Sequence, residues 1–521
     1  MNDCGKRNRD PIIENSSWEG HSALSSSSHS VVAAGGMLLF LGIIAAKGFG
    51  FLRQFVIIRL LDPDQYGLIA LSLAIINFTI SLGIMGLHQG SQRFIAYNLA
   101  REDYDRLKGT MLSTIRIVAL SNMVIVALVM SLSGPLAKLF TVPELKGMLL
   151  LFVPCIPLGT ALALTTYFSL GLQRPEIKLI GQDFGFGFFS VLFIYLLLLA
   201  RRSVHVVPIA FAIAYSFPLF FSCIYLAKAS PFSWRGQQAV CNGKKLLLFS
   251  VPLFSVNILS QLMASTDTFM IGIFLSQEKV GFYNAAFLMM QLLPVFLGAF
   301  SDIYMSVSTG LVAKNARLEV LELYRSVTKW LFALTMPLFL TLAMFPAQAL
   351  SMLFKPEYSE AALALSVLAA GEFIHTFLGP NDQSLVAFGY TRVLFYSFCV
   401  SACANIALNY LLIPRIGIVG AAIATSSSLA LVNIINSLYL FYKQKIHPLC
   451  LQYVLPVCIS MLACLAIYPF MKRLISFSAW FILTCYPLFL SMVIAAFVFT
   501  GNLSEEDRRL WEMLRKRLGS S

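Results

Sequence analysis

The residues with chemical potential are ionisable side chains set inside long apolar runs. Lys47, Arg53 and Arg59 share one run, Arg116 lies in another, Asp267 in a third, and Glu372 with His375 in a fourth. A charge at the centre of a bilayer is costly, so such residues mark polar cavities, ion paths or proton relays. A six-residue step turns a straight helix by about 240°, so Lys47, Arg53 and Arg59 do not share one face unless Gly48 and Gly50 loosen the helix. Arg116 sits about two turns inside its run and is a further cavity candidate. Asp267 either pairs with a cation of the first run, binds a coupling cation, or makes a plain interhelical hydrogen bond. Glu372 and His375 are three apart and share a helix face. Gly379-Pro380-Asn381-Asp382 then interrupts that run. Broken helices at membrane depth are tolerated where they line water. The pair therefore either relays protons or is a structural hydrogen bond.

Other apparent motifs carry no chemistry. Asp62-Pro-Asp64 has the spacing of a metal-diphosphate site, but it lies in a tight turn with no domain around it, and turn chemistry accounts for it. Gly185-Phe-Gly187 falls within an apolar run, not between a strand and a helix, so it serves close helix packing. Eight of the ten cysteines fall in or at the ends of apolar runs, and Cys4 and Cys241 fall on the predicted cytoplasmic side. No Cys/His group has metal-ligand spacing, and neither a metal nor a cofactor is expected.

These residues need elements to hold them. The chain of 521 residues is 58% hydrophobic and 12% charged, against about 25% charged in soluble domains. Runs of roughly 20 apolar residues, enough to cross a ~30 Å hydrocarbon core, recur from Val31 to Thr500. The fold class is an all-α polytopic membrane protein. About 14 spans are expected, near 33–58, 66–87, 110–134, 147–171, 182–200, 206–227, 247–275, 280–302, 328–353, 361–387, 392–413, 417–441, 450–471 and 477–500. An even count puts both termini on one side. With that side cytoplasmic, about 24 Lys and Arg fall in inner segments and about 10 in outer ones. The net charge of +13 is thus topological and does not signal a nucleic-acid partner.

The chain also repeats itself. Leu60–Leu71 (LLDPDQYGLIAL) and Phe274–Ala285 (FLSQEKVGFYNA) each end one run, turn through four mostly polar residues and restart with Gly67 or Gly281. Gly171-Leu-Gln-Arg174 is echoed by Gly389-Tyr-Thr-Arg392. Six spans separate the copies, so the repeats run parallel, related by an axis along the membrane normal. The expected organisation is a disordered cytoplasmic tail over 1–30, a six-helix lobe over 31–227, a basic linker over 228–246 and a second six-helix lobe over 247–443. Two extra spans over 444–500 follow, then a cytoplasmic segment over 501–521. Within that segment Ser504–Leu518 reads as an amphipathic helix for the inner leaflet. The tail is not a signal peptide, since the run after it is too long for one and lacks a cleavage pattern. Outer loops are too short to house a catalytic domain, which argues against a polymerase or acyltransferase.

Three segments resemble the oligosaccharide flippases of polysaccharide biosynthesis, within the multidrug/oligosaccharidyl-lipid/polysaccharide exporter superfamily. They are Arg59-Leu-Leu-Asp-Pro-Asp-Gln-Tyr-Gly67 with Gln92-Arg-Phe-Ile95, Asp267–Leu275 continuing into Val280–Ala285, and Asn405–Pro414 followed by Gly417–Thr425. The resemblance covers about 33–500 and implies 12 or 14 helices in two lobes. It implies, without enzymatic activity, movement of a polyprenyl-(di)phosphate-linked oligosaccharide from inner to outer leaflet of the plasma membrane, with membrane lipids and glycan-assembly enzymes as partners. On that footing Lys47, Arg53, Arg116 and Asp267 are expected to line the cavity, the cations meeting phosphate unless they snorkel or pair with acids. Asp267, Glu372 and His375 are the coupling candidates. The rival within the superfamily is a cation-coupled multidrug exporter, whose cavity would favour acids over the basic first run.

Overall fold

The computed structural model describes residues 45–232, 238–241 and 243–447, with Gly42, Ile459, Leu462, 466–473 and 482–499 beyond them. The expected tail over 1–30, the helix Ser504–Leu518 and most of the span over 450–471 lie outside the described residues. What is described is helical, with no strand. Hydrocarbon offers no partner to a free backbone amide, and a helix satisfies all of its own. Ten helices among the described residues are long and apolar enough to cross a membrane. The protein is a multi-pass membrane protein.

In chain order, α1 covers 45–60, α2 Pro63–Ile84, α3 Leu87–Ala100, α4 Tyr104–Leu139, α5 Glu144–Phe152, α6 Cys155–Gly171 and α7 Pro175–Lys178. A π-helical stretch, Leu179–Phe186, leads into α8 (Gly187–Ala200), and α9 is Val206–Ala229. The second half holds α10 (Gly243–Phe274), α11 (Gln277–Met290), α12 (Pro294–Ala313), α13 (Arg317–Met344), α14 (Pro346–Leu353) and a 3-10 turn, Pro356–Ala361. It continues with α15 (Ala362–Phe377), α16 (Asn381–Ala387), α17 (Thr391–Ile416) and α18 (Ile418–Gln444). Residues 466–473 form α19, and α20 is Ile482–Phe499.

The repeated hairpins are tighter than the sequence suggests. Only two residues lie between helices in each copy, because Pro63 and Gln277 already open α2 and α11. Proline suits the first helical position, where its missing N–H costs nothing. Ser276 accepts from the Lys279 amide at 3.4 Å, and the Asp62 amide donates to Gln65 Oε1 at 3.5 Å.

The two copies pack on each other through backbone. A Cβ placed on Gly67 would stand 1.7 Å from the Gln277 carbonyl oxygen, and one on Gly281 would stand 2.3 Å from the Pro63 carbonyl oxygen. Each glycine thus meets the residue four positions before its counterpart, the reciprocity of a self-complementary contact. One core cluster joins the halves here, with Ile57, Ile69 and Phe152 from the first and Val280, Phe282 and Phe354 from the second. Polar ties cross the same end. Arg59 donates to the Phe354 carbonyl, and Lys355 donates to the Leu61 carbonyl at 2.7 Å and pairs with Asp62 at 3.0 Å, while within the second half Lys279 pairs with Glu360. At the other end the Val240 amide donates to the Asp105 carbonyl at 3.1 Å, and Arg317 Nε to the Gln444 carbonyl at 2.6 Å.

Gly67→Val forces α2 off α11, because the opposing atoms are backbone and have no rotamer to yield. A destabilisation of about 1–3 kcal/mol is expected, the usual cost of overpacking. A lowered melting midpoint in detergent checks it. Gly134→Ala, which adds its methyl to open space within α4, does not lower the midpoint, since alanine also favours the helix.

Candidate functional site

A cavity of about 610 Å³ lies between the halves, walled by 46–54 of α1 and Tyr66 of α2 on one side, and by Asn284, Phe287 and Gln291 with their neighbours on the other. It touches α1 around most of its circumference, since every residue from 46 to 54 but Phe49 lines it. A Cβ on Gly48 or Gly50 would meet nothing within 4 Å. The angular argument from sequence therefore does not separate Lys47 from Arg53, because the cavity reaches both sides of the helix.

Lys47 is exposed, and no hydrogen bond or ion pair joins it to a described residue. Arg53 is half-buried and held differently. Its guanidinium lies 5.4 Å from the Phe186 ring centroid and 5.3 Å from that of Phe211, and it donates to Ser190 Oγ at 3.4 Å. Aromatic faces attract a cation without neutralising it. Its Nε is buried without a partner, as is the Oε1 of neighbouring Gln54. A buried donor left unpaired is costly, and an oxyanion entering the cavity would meet that cost. Arg59, one further step along α1, is spent on the Phe354 carbonyl at the end of the bundle.

Arg116 stands exposed on α4 and is not among the residues lining this cavity. Asp267 is buried behind the cavity wall and pairs with neither Lys47 nor Arg53. Tyr283 Oη donates to it at 2.5 Å, Asn409 Nδ2 at 2.7 Å, and Thr425 Oγ1 donates as well. Asn409 Nδ2 also donates to Asn405 Oδ1 at 3.1 Å, and Asn405 Nδ2 to Thr425 Oγ1 at 3.3 Å, while Asn409 Oδ1 is buried without a partner. Their oxygens are ligands of the kind hard cations take, clustered on α10, α11, α17 and α18. Among the described residues no group of three His, Cys, Asp or Glu side chains gathers for a metal.

Glu372 Oε1 and His375 Nδ1 are 3.2 Å apart at the end of α15. The break at Gly379-Pro380 follows, with φ +74° at Gly379, a value that suits glycine. The break opens α16, where Asn436 Nδ2 donates to Asp382 Oδ1 at 2.7 Å, and Asn381 Nδ2 donates to Asn433 Oδ1 at 3.1 Å and Ser437 Oγ at 3.0 Å. The sequence reading singled out Asp267, Glu372 and His375 but not Tyr283, Asn409 and Thr425 around the first, nor the aromatic pair beside Arg53. Asn405 and Asn409 were visible as two amides four apart in an apolar run, hence on one helix face.

Over residues 56–363 the sequence matches the family described as polysaccharide biosynthesis protein. The chain belongs to this family. Among relatives of the family member, the probable low-salt glycan biosynthesis flippase Agl15 of Haloferax volcanii is 26% identical over 33% of this chain and 37% of its own length. The teichuronic acid biosynthesis protein TuaB of Bacillus subtilis is 26% identical over 29% of this chain and 32% of its own. The matches thus span about a third of the length of these relatives. In fold, the family member is similar to the lipid II flippase MurJ in an inward closed conformation, with TM-score 0.69 and 15% identity over 88% of this chain and 98% of the other. A multidrug resistance MATE family transporter in an inward-facing conformation gives TM-score 0.66 and 12% identity over 76% and 94%.

Proposed function

We propose that this family member is a flippase that carries a polyprenyl-(di)phosphate-linked oligosaccharide from the inner to the outer leaflet by alternating access between its two halves. The observation that carries the reading is the cavity between the halves, lined by Lys47, which pairs with no described residue, and by Arg53, whose guanidinium rests on Phe186 and Phe211 beside it. A phosphate and its sugars are costly to bring into hydrocarbon unsatisfied, and these cations with the amides of Gln54, Asn284 and Gln291 offer partners. The names of Agl15 and TuaB, both glycan-pathway proteins, support the same substrate class. In this reading α1, the interrupted α11–α12 and two C-terminal crossings join the ten apolar spans. That makes fourteen in two parallel repeats, with both termini cytoplasmic at the plasma membrane. Enzymes of glycan assembly are its expected neighbours.

Lys47→Ala with Arg53→Ala abolishes outward movement of labelled lipid-linked glycan in proteoliposomes while the protein elutes as a folded monodisperse peak. Unchanged movement sinks the assignment.

A second element of the proposal is coupling. An anion leaving a negative cytoplasm is already assisted, by about 2.3 kcal/mol per charge per 100 mV, so a cation would serve to reset the empty carrier. The oxygen cluster at Asp267 is the stronger candidate for it, because Asn409 Oδ1 stands ready as a further ligand, and the Glu372–His375 pair is the weaker. A bound cation stabilises the fold by mass action. The melting midpoint is therefore expected to rise with NaCl over choline chloride at equal ionic strength, and Asp267→Asn removes the rise. Equal midpoints in both salts for the unmutated protein refute sodium at this position.

A further inference from the structure

At the end of the bundle where the two hairpins meet, a second and smaller cavity of about 280 Å³ lies in the seam between the halves. Its side chains are unusual for their charge. Arg59 comes from the last turn of α1, Asp62 from the α1–α2 turn, Arg202 from the segment between α8 and α9, and Lys355 from the segment after α14. Three cations face one carboxylate, and Gln65 adds an amide. The volume is several times the ~30 Å³ share of a water molecule, so a polyatomic group fits.

The cations are incompletely answered. Arg59 is bonded to a neutral carbonyl, and so in part is Lys355. The single carboxylate, Asp62, is 75% exposed and pairs with Lys355 alone among the three cations. Arg202 is exposed and makes no hydrogen bond or ion pair to a described residue. The amino end of α2 opens beside them at Pro63, adding the positive pole of a 22-residue helix. A multiply charged oxyanion would exchange carbonyl partners for shorter, charge-assisted hydrogen bonds, about twice as strong as neutral ones.

We propose that this seam pocket is a binding site for a phosphate-class oxyanion, held by Arg59, Arg202 and Lys355. The pocket stands apart from the cavity at Lys47, and the inference rests on the flippase reading only for the source of the anion. That source is either the diphosphate of a lipid arriving at this end or the headgroup of a resident anionic phospholipid. In both cases the anion takes Lys355 from Asp62 and so loosens one of the ties that hold the halves together.

The test uses the full chain in nanodiscs of phosphatidylcholine, titrated calorimetrically with inorganic pyrophosphate. The Lys47→Ala, Arg53→Ala protein still binds pyrophosphate, and adding Arg202→Gln weakens that binding by about tenfold, the loss of one charge-assisted contact. Arg202→Lys, which keeps the charge without the planar fork, recovers part of it. Arg202 supports no described contact, so its removal leaves the fold intact. Pyrophosphate binding that Arg202→Gln leaves unchanged, or that vanishes with Lys47 and Arg53 alone, overturns the proposal. Failure of the flippase reading shows elsewhere, as unaltered glycan movement in the Lys47, Arg53 variant. Nanodiscs containing phosphatidylglycerol at matched ionic strength separate the sources. Competition with pyrophosphate upholds the site with a phospholipid headgroup as its occupant, and undiminished binding upholds it with a lipid diphosphate.

Discussion

The architecture depends on one backbone contact, the crossing of α2 and α11 at Gly67 and Gly281. Side chains at either position would drive the helices apart, since each glycine looks directly at a carbonyl of the other helix. The apolar core that joins the halves, from Ile57 and Ile69 to Phe282 and Phe354, closes only because that approach is permitted. Small residues at such crossings are the usual means of bringing helices together in lipid, where no hydrophobic force separates helix from hydrocarbon. With the halves joined at this end, the space between them opens away from it. Lys47 and Arg53 of α1 can then sit at that space, across from Asn284 and Gln291, instead of in lipid.

Much of this was legible in the sequence. The duplicated hairpin marked both glycines, and apolar run lengths placed most helices within a few residues. The polysaccharide biosynthesis family was recognisable from segments such as Arg59–Gly67 and Asp267–Leu275. What could not be read concerns direction. A run of letters does not say which way a side chain points once a cavity wraps around its helix, so placing Lys47 and Arg53 in one cavity seemed to need a helix loosened at Gly48 and Gly50, whereas both line the same space on a regular helix. Nor does it show partners far apart in the chain. Asp267 is held by Thr425, 158 residues away, and by Asn409, 142 residues away. Arg116 resembled Lys47 in type and depth, yet on α4 it does not line the cavity that Lys47 lines. Only packing decides that.

The two repeated hairpins are alike in sequence, and the helices that lead into them are charged differently. The first presents Lys47 and Arg53 to the cavity, while the second keeps its acid behind a wall of hydroxyls and amides. Burying a carboxylate among neutral donors keeps it from the cations across the way. Direct neutralisation of either set would leave the cavity with less positive charge to offer. Separation of opposite charges by packing is therefore as much a property of this fold as the charges themselves.

The bareness of α1 has a mechanical side. From 46 to 52 the helix has the cavity around most of its girth, and Gly48 and Gly50 put nothing against it. Each glycine in a helix interior costs about 1 kcal/mol relative to alanine, and at Gly48 and Gly50 no described side chain fills the space a methyl would take. Among the described residues the segment is held by its own hydrogen bonds and by the rings of Phe49 and Phe51. The aromatic grip on Arg53 beyond it, and Phe49 seated against Gly187 within it, are the fixed points of what is otherwise a compliant beam. A force transmitted between the halves would bend the molecule there first, at the stretch that carries Lys47.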